Sequence, residues 1–200
     1  MGYALDTMGA APDDALQFFV SNGYVREKTV DPLAGYLDAI NVDIKGDREF
    51  YRDYTGVPDP EPIFQTVKQF ADRDIHLEAT NLIIPGKNDE ETIRKGVQWL
   101  VEAVDPDVPV HFSRFRPAYR MRDVPPTPIE TLERAIELAC EARLRCVYCG
   151  NVPRHEAEST SCPACGRVVV RREGYTVRDI DLEAGSCPDR GRAIPIYVTP

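Results

Sequence analysis

No cysteine precedes Cys140 in this 200-residue chain, and all six cysteines lie between Cys140 and Cys187. The first two-thirds of the sequence therefore offers no thiolate to a metal. Long apolar runs are missing as well. None approaches the roughly 20 residues that a helix needs to span a bilayer, and no membrane partner is expected. The opening segment, MGYALDTMGAAPDD, carries acids where a secretory signal carries bases, so no export signal is expected and the cytoplasm is the expected compartment. Positive charge is in deficit. A net charge of −9 argues against nonspecific binding to a nucleic-acid backbone, and no nucleic-acid partner is expected. Most of the bases are Arg, and the acids are spread along the chain instead of gathered in one tail. That pattern suits the solvated surface of a salt-adapted protein or of an ordinary acidic enzyme.

With 42% apolar residues, a chain of this length can bury a sizeable core and suggests one domain with an appendage. Five apolar segments read as strands: residues 16–20, 39–44, 76–84, 108–115 and 144–148. Amphipathic stretches near 27–36, 62–72, 89–104 and 127–142 read as helices between them. Asn88 with Glu91 resembles a capping box, and Thr127-Pro128 places Pro at a first helical position. This alternation implies right-handed βαβ units and a parallel sheet. Five strands are too few for a closed eight-stranded barrel, so an α/β fold with a partial parallel barrel over 1–150 is expected. Beyond Gly150 the sequence changes character. A polar stretch leads to Cys162-Pro163-Ala164-Cys165-Gly166, two strand-like runs joined at Glu173-Gly174, and Cys187-Pro188-Asp189-Arg190-Gly191. Residues 151–200 are expected to form a small zinc-ribbon-like hairpin between two cysteine knuckles.

Polar residues recur at the ends of four successive apolar runs. Ser21-Asn22-Gly23 follows the first, and its Gly allows close backbone approach to a ligand. Asp43 and Lys45 end the second at i and i+2, so on a strand they face the same side. An acid beside a base at a strand end suits a zwitterionic ligand, and it equally suits an internal salt bridge. Pro85-Gly86-Lys87-Asn88-Asp89 ends the third, as good turn chemistry would. The fourth ends in His111-Phe112-Ser113-Arg114-Phe115-Arg116, where His111, Ser113 and Phe115 share one face and Arg114 and Arg116 the other. The C-terminal ends of parallel strands are where α/β barrels build their sites.

Six cysteines without an export signal read as metal ligands or reduced thiols rather than disulfides. Two sets compete. Cys162, Cys165 and Cys187 have a zinc-ribbon frame, but Arg190 stands where the fourth thiolate belongs and cannot ligate. His155 is a candidate substitute. Cys146, Cys149, Cys162 and Cys165 form the alternative set, although strand alternation puts Cys146 and Cys149 on opposite sides. Cys140 is expected in the core.

The segments SNGY, INVDIKG, EFYRDYTG, LIIPGKND, PVHFSRFRPAYRM, PPTP, VYCGNVP and TSCPACG occur in this order. Together they resemble the AmmeMemoRadiSam-system radical S-adenosylmethionine (SAM) enzymes, which are similar to pyruvate formate-lyase activating enzyme. The resemblance runs from about Tyr3 through nearly the whole chain. It implies a partial barrel, SAM and a [4Fe–4S] cluster as cofactors, and reductive cleavage of SAM followed by hydrogen abstraction. It places Ser21, Asn22, Gly23, Asp43 and Lys45 around SAM, and His111 and Arg114 on the substrate side. It also implies a Cys-x3-Cys-x2-Cys loop for the cluster, which this sequence lacks. The chain is therefore expected to be the C-terminal portion of such an enzyme, inactive alone, with a separately encoded N-terminal half as a candidate partner. The substrate is not identified, and a protein is one candidate. The rival expectation is a noncatalytic module that binds a partner through its zinc-ribbon-like tail.

Overall fold

Five parallel strands pair in chain order. They are β1 (Phe18–Ser21), β2 (Ala39–Asp43), β3 (His76–Ile83), β4 (Val110–Arg114) and β5 (Val147–Gly150). The structure is a computed structural model that describes residues 2–196. The helices are α1 (Gly2–Gly9), α2 (Val30–Ala34), the one-turn α3 (Arg48–Phe50), α4 (Glu61–Ala71), α5 (Glu90–Ala103) and α6 (Ile129–Glu141). Sequential parallel pairing with crossovers of one hand puts the covering helices on one face of the sheet, as in the wall of a barrel. Among the described residues no helix is long and apolar enough to cross a membrane.

Alternation along the strands explains the layering. Ile40, Val42, Leu77, Ala79, Ile83, Val110, Phe112 and Cys149 are buried in one core with Ile63, Val67 and Phe70 of α4, Ile93, Val97 and Leu100 of α5, and Leu132, Ala135 and Leu138 of α6. The intervening positions face the other way. This inner face is polar, as no continuously buried parallel strand would be.

Each strand and amphipathic stretch read from the sequence has its counterpart within a few residues. The caps differ. Asp89, not Asn88, caps α5, its side chain accepting from Thr92 N at 2.9 Å. Asn88 is buried instead, accepting from Ile84 N at 2.7 Å and donating to Leu82 O at 2.8 Å, so it pins the turn after β3. Pro128 occupies the N-cap of α6, not its first helical position. Cys140 is exposed, not in the core, because α6 buries Leu132, Ala135, Leu138 and Ala139 and turns position 140 away.

The C-terminal segment forms a separate three-stranded antiparallel sheet of β6 (Thr160–Ser161), β7 (Val168–Glu173) and β8 (Thr176–Ile180). Its core is small: Cys162, Val169, Cys187 and Ile194. The sheet leans onto the inner face of the barrel wall. Tyr148 Oη lies 3.1 Å from Thr160 Oγ1, and Arg172 Nη1 donates to the same oxygen at 2.6 Å.

Candidate active site and metal centre

A single carboxylate organises the inner face. Glu78, on β3, receives His76 Nε2 at 3.0 Å on Oε1, and His111 Nε2 at 2.9 Å and Asn41 Nδ2 at 3.3 Å on Oε2. Thr80 Oγ1 donates to Asn41 Oδ1 at 2.8 Å. The ring of His111 stacks on Tyr148 with centroids 5.0 Å apart. Three strands thus contribute to one hydrogen-bonded layer, and β5 adds an aromatic platform. Burial works to raise the Glu78 carboxyl, but the bonds from His111 and His76 outweigh it and hold the group well below the usual carboxylate range. A carboxylate can only accept, so His111 gives Nε2–H to Glu78 and keeps Nδ1 as its other hydrogen-bonding atom.

Two adjoining cavities open over this layer. One, of about 480 Å³, is lined by Glu78, His111, Arg116, Tyr148 and Arg172 among others. The other, of about 690 Å³, adds Asn41, Asp43, His76 and Thr80, with Phe18 and Val20 at its edge. Arg172 and Tyr175 of the C-terminal sheet border both. Arg116 reaches the same cavity as His111, although alternation puts it on the opposite face. Strand β4 ends at Arg114, and alternation does not carry past it.

The residues singled out from the sequence fall around this layer, with different commitments. Asp43 and Lys45 form an ion pair, Nζ to Oδ2 at 2.7 Å, both about 30% exposed, with side-chain values of 30% and 28%. The Tyr51 hydroxyl holds the bend between them, accepting from Lys45 N at 3.0 Å and donating to Asp43 O at 3.3 Å. Burial pushes that phenol up to about 12. Ser21 Oγ accepts from Gly23 N at 3.0 Å, and Asn22 Oδ1 accepts from Tyr24 N at 3.1 Å, so both side chains build the turn after β1. Gly23 has φ 72°, and a Cβ there would lie 2.7 Å from Val42 Cγ1 and 2.8 Å from Ile63 Cγ2. Only Gly fits that close approach. Arg114 turns to the loop before α6, its Nε donating to Thr127 O at 2.8 Å.

His76, Glu78, Asn41, Thr80 and Tyr148 were not legible as site residues. The signal was present in His76-Leu77-Glu78-Ala79-Thr80, where every second residue is polar within an apolar run. We expect Glu78→Gln to lower stability by about 2 kcal/mol at neutral pH, the scale of hydrogen bonds to a charged group. The carboxyl is lowered in the folded state, so its contribution is complete above the ordinary value of 4.5 and is lost as pH falls below it. Urea midpoints of the two proteins should therefore differ at pH 7 and converge in acid.

The second cluster lies in the C-terminal sheet. The sulfurs of Cys162, Cys165 and Cys187 all lie within 4.8 Å of one another, and Cys165 Sγ is 3.8 Å from Cys187 Sγ. Thiolates about 2.3 Å from a tetrahedral zinc ion stand about 3.8 Å apart, so the spacing fits one mononuclear metal. It does not fit a cubane cluster, whose cysteines bind different irons and stand farther apart. Burial works to raise the Cys162 thiol, but the N–H groups of Ala164 and Cys165 and the neighbouring thiols hold it below its usual value. The alternative four-cysteine set is not assembled. Cys146 and Cys149 are buried at the barrel wall, where burial pushes both thiols up to about 11. His155 is not a fourth ligand either: its Nδ1 accepts from Ala157 N at 3.2 Å and its Nε2 faces Glu133 at 3.8 Å.

The wall and its crossovers match known structures. A domain of pyruvate-formate lyase-activating enzyme from Bacteroides vulgatus aligns with a TM-score of 0.64 at 18% identity, covering 75% of this chain and 91% of that one. A radical SAM methyltransferase from Sphaerobacter thermophilus aligns with a TM-score of 0.53 at 13% identity, covering 76% of this chain and 43% of that one. These likenesses establish the fold, that of a radical SAM-type partial barrel. In sequence, the chain is 37% identical over 200 residues to uncharacterized protein MJ0808 of Methanocaldococcus jannaschii, spanning 98% of this chain and 59% of that protein. No family model matches the chain.

Proposed function

We propose that these residues form the cofactor- and substrate-facing wall of a radical SAM enzyme. The observation that carries this reading is the polar layer of Asn41, Glu78, Thr80, His111 and Tyr148 on the inner face of a radical SAM-type wall. In it, Lys45 meets the carboxylate of the methionyl group and Asp43 its ammonium, exchanging their mutual ion pair for the zwitterion. The Ser21–Gly23 turn offers close backbone approach. His111, fixed by Glu78, presents Nδ1 to the ribose or to the substrate, and Arg116 and Arg172 favour a substrate with an anionic group. The [4Fe–4S] cluster does not fit the cysteines of this chain, which lack the triple spacing and converge at single-metal distance. No step of the reaction is therefore assigned to these residues alone.

The test uses anaerobic iron–sulfide reconstitution, a strong reductant and SAM. The 200-residue chain should form no 5′-deoxyadenosine above background, and full-length MJ0808 should form it. Product from the chain alone, or none from the full-length relative, would overturn the reading. The edge strand β8 favours the rival partner-binding reading, because Val177 and Ile180 on it, and Tyr175 in the turn before it, are exposed. Capture of one defined protein by the C-terminal sheet, with MJ0808 inert toward SAM, would establish it.

A further inference from the structure

The two cysteine knuckles have the same backbone, bond for bond. Cys162 N donates to Arg167 O at 2.8 Å, and Cys187 N to Arg192 O at 2.9 Å. Cys165 N and Arg190 N each donate at 3.3 Å to the carbonyl of the first knuckle residue, Cys162 and Cys187 respectively. Gly166 N and Gly191 N reach those same carbonyls at 2.8 and 2.7 Å, and the two glycines share positive φ, 77° and 61°. Position 190 is thus the geometric counterpart of Cys165. The turn that would deliver a fourth thiolate is intact, and only its side chain has changed.

We propose that the centre holds one zinc ion on Cys162, Cys165 and Cys187, and that its fourth coordination position, beside Arg190, takes an exogenous thiolate. Zinc in a closed structural site has four protein ligands, whereas a site with three leaves a position for an outside ligand. Among the described residues no other His, Cys, Asp or Glu joins the three sulfurs. The surroundings favour a soft anion. Three thiolates already select a soft-ligand metal, and Cys165 is exposed, so the centre can be reached from solvent. Asp189 and Asp181 are both bonded by Arg167, and Arg190 makes no direct ion pair among the described residues, its charge reaching only as far as helping to lower the Asp189 carboxyl. Position 190 thus carries a cation where a zinc-ribbon frame carries its fourth thiolate. Binding forms a zinc–sulfur bond, and the thiol proton passes to solvent.

Cobalt(II) in place of zinc makes this visible. The full chain loaded with Co²⁺ should show tetrahedral absorption with the sulfur-to-cobalt intensity of three thiolates. Titration with 2-mercaptoethanol should raise that band saturably by about one-third, from three thiolates to four, while acetate should leave it unchanged. Arg190→Cys should carry the four-thiolate band from the start and ignore the added thiol. Arg190→Ala should respond as the wild type does, with a several-fold weaker midpoint. A wild-type chain that binds no Co²⁺, or whose spectrum is unmoved by the thiol, would overturn the proposal. So would an equal response from Arg190→Cys, which would place the thiol elsewhere.

Discussion

Stripping the metal from the loaded protein should unfold the C-terminal sheet and leave the barrel wall standing. The sheet's own core amounts to Cys162, Val169, Cys187 and Ile194, with Leu182 and Ile196 partly buried beside it. So small a cluster cannot offset the backbone entropy of ordering some thirty-five residues, for which the cost is about 1–2 kcal/mol each. A structural zinc ion contributes roughly 10–16 kcal/mol of apparent folding free energy in zinc-finger peptides, and three thiolates should retain a large share. With a chelator, or with Cys162→Ser, the amides of β7 and β8 should lose hydrogen-exchange protection by orders of magnitude, while those of β2, β3 and β4 keep theirs. Unchanged protection in β7 after chelation would show that the sulfurs hold no metal that matters to folding. The loss should also uncover the inner face, since Arg172 and Tyr175 line both cavities over Glu78.

The second large effect concerns β1. It ends the sheet, and its outer edge pairs with no strand among the described residues. Phe18 and Val20 on that strand are 70% and 75% exposed. An uncovered edge of a parallel sheet with two bare apolar side chains is a template for another chain. The 200-residue chain should therefore self-associate with rising concentration in sedimentation velocity. Phe18→Lys with Val20→Lys should make it monomeric, because charge on an edge strand opposes pairing. A wild-type chain that stays monomeric across the concentration range would mean that the edge is protected in solution.

The sequence made the sheet legible because its runs set apolar residues at the alternate positions that face the helices, as Ile40 and Val42 do on β2 and Leu77 and Ala79 on β3. Amphipathic periodicity did the same for α4, α5 and α6. The inner face was harder to read. Glu78 looks like a solvated charge until the register sets it beside Asn41 and within reach of His111, and no local pattern reports a partner thirty-three residues away. The ends of elements escaped for a related reason. Alternation licensed Arg114 and Arg116 as one face, but the strand stops at Arg114 and the two side chains part. Cys140 was placed in the core on residue type alone, against the helical phase that buries Leu138 and Ala139. The knuckles were legible because Cys-Pro-x-x-Gly dictates its own turn, whatever the fold around it.

In the function proposed above, the inner face, not the helix side or the cysteine centre, meets the adenosyl cofactor. The most direct measurement is a ¹H–¹⁵N NMR titration of the metal-loaded chain with S-adenosylhomocysteine, which cannot be cleaved and tolerates weak binding. Saturable shifts are expected at Gly23, Ile44, Lys45, Thr80, His111 and Tyr148, lost in Lys45→Ala. Shifts confined to the cavity of about 350 Å³ between α4 and α5, where Phe64, Gly96 and Trp99 lie, or no shift at millimolar ligand, would contradict it.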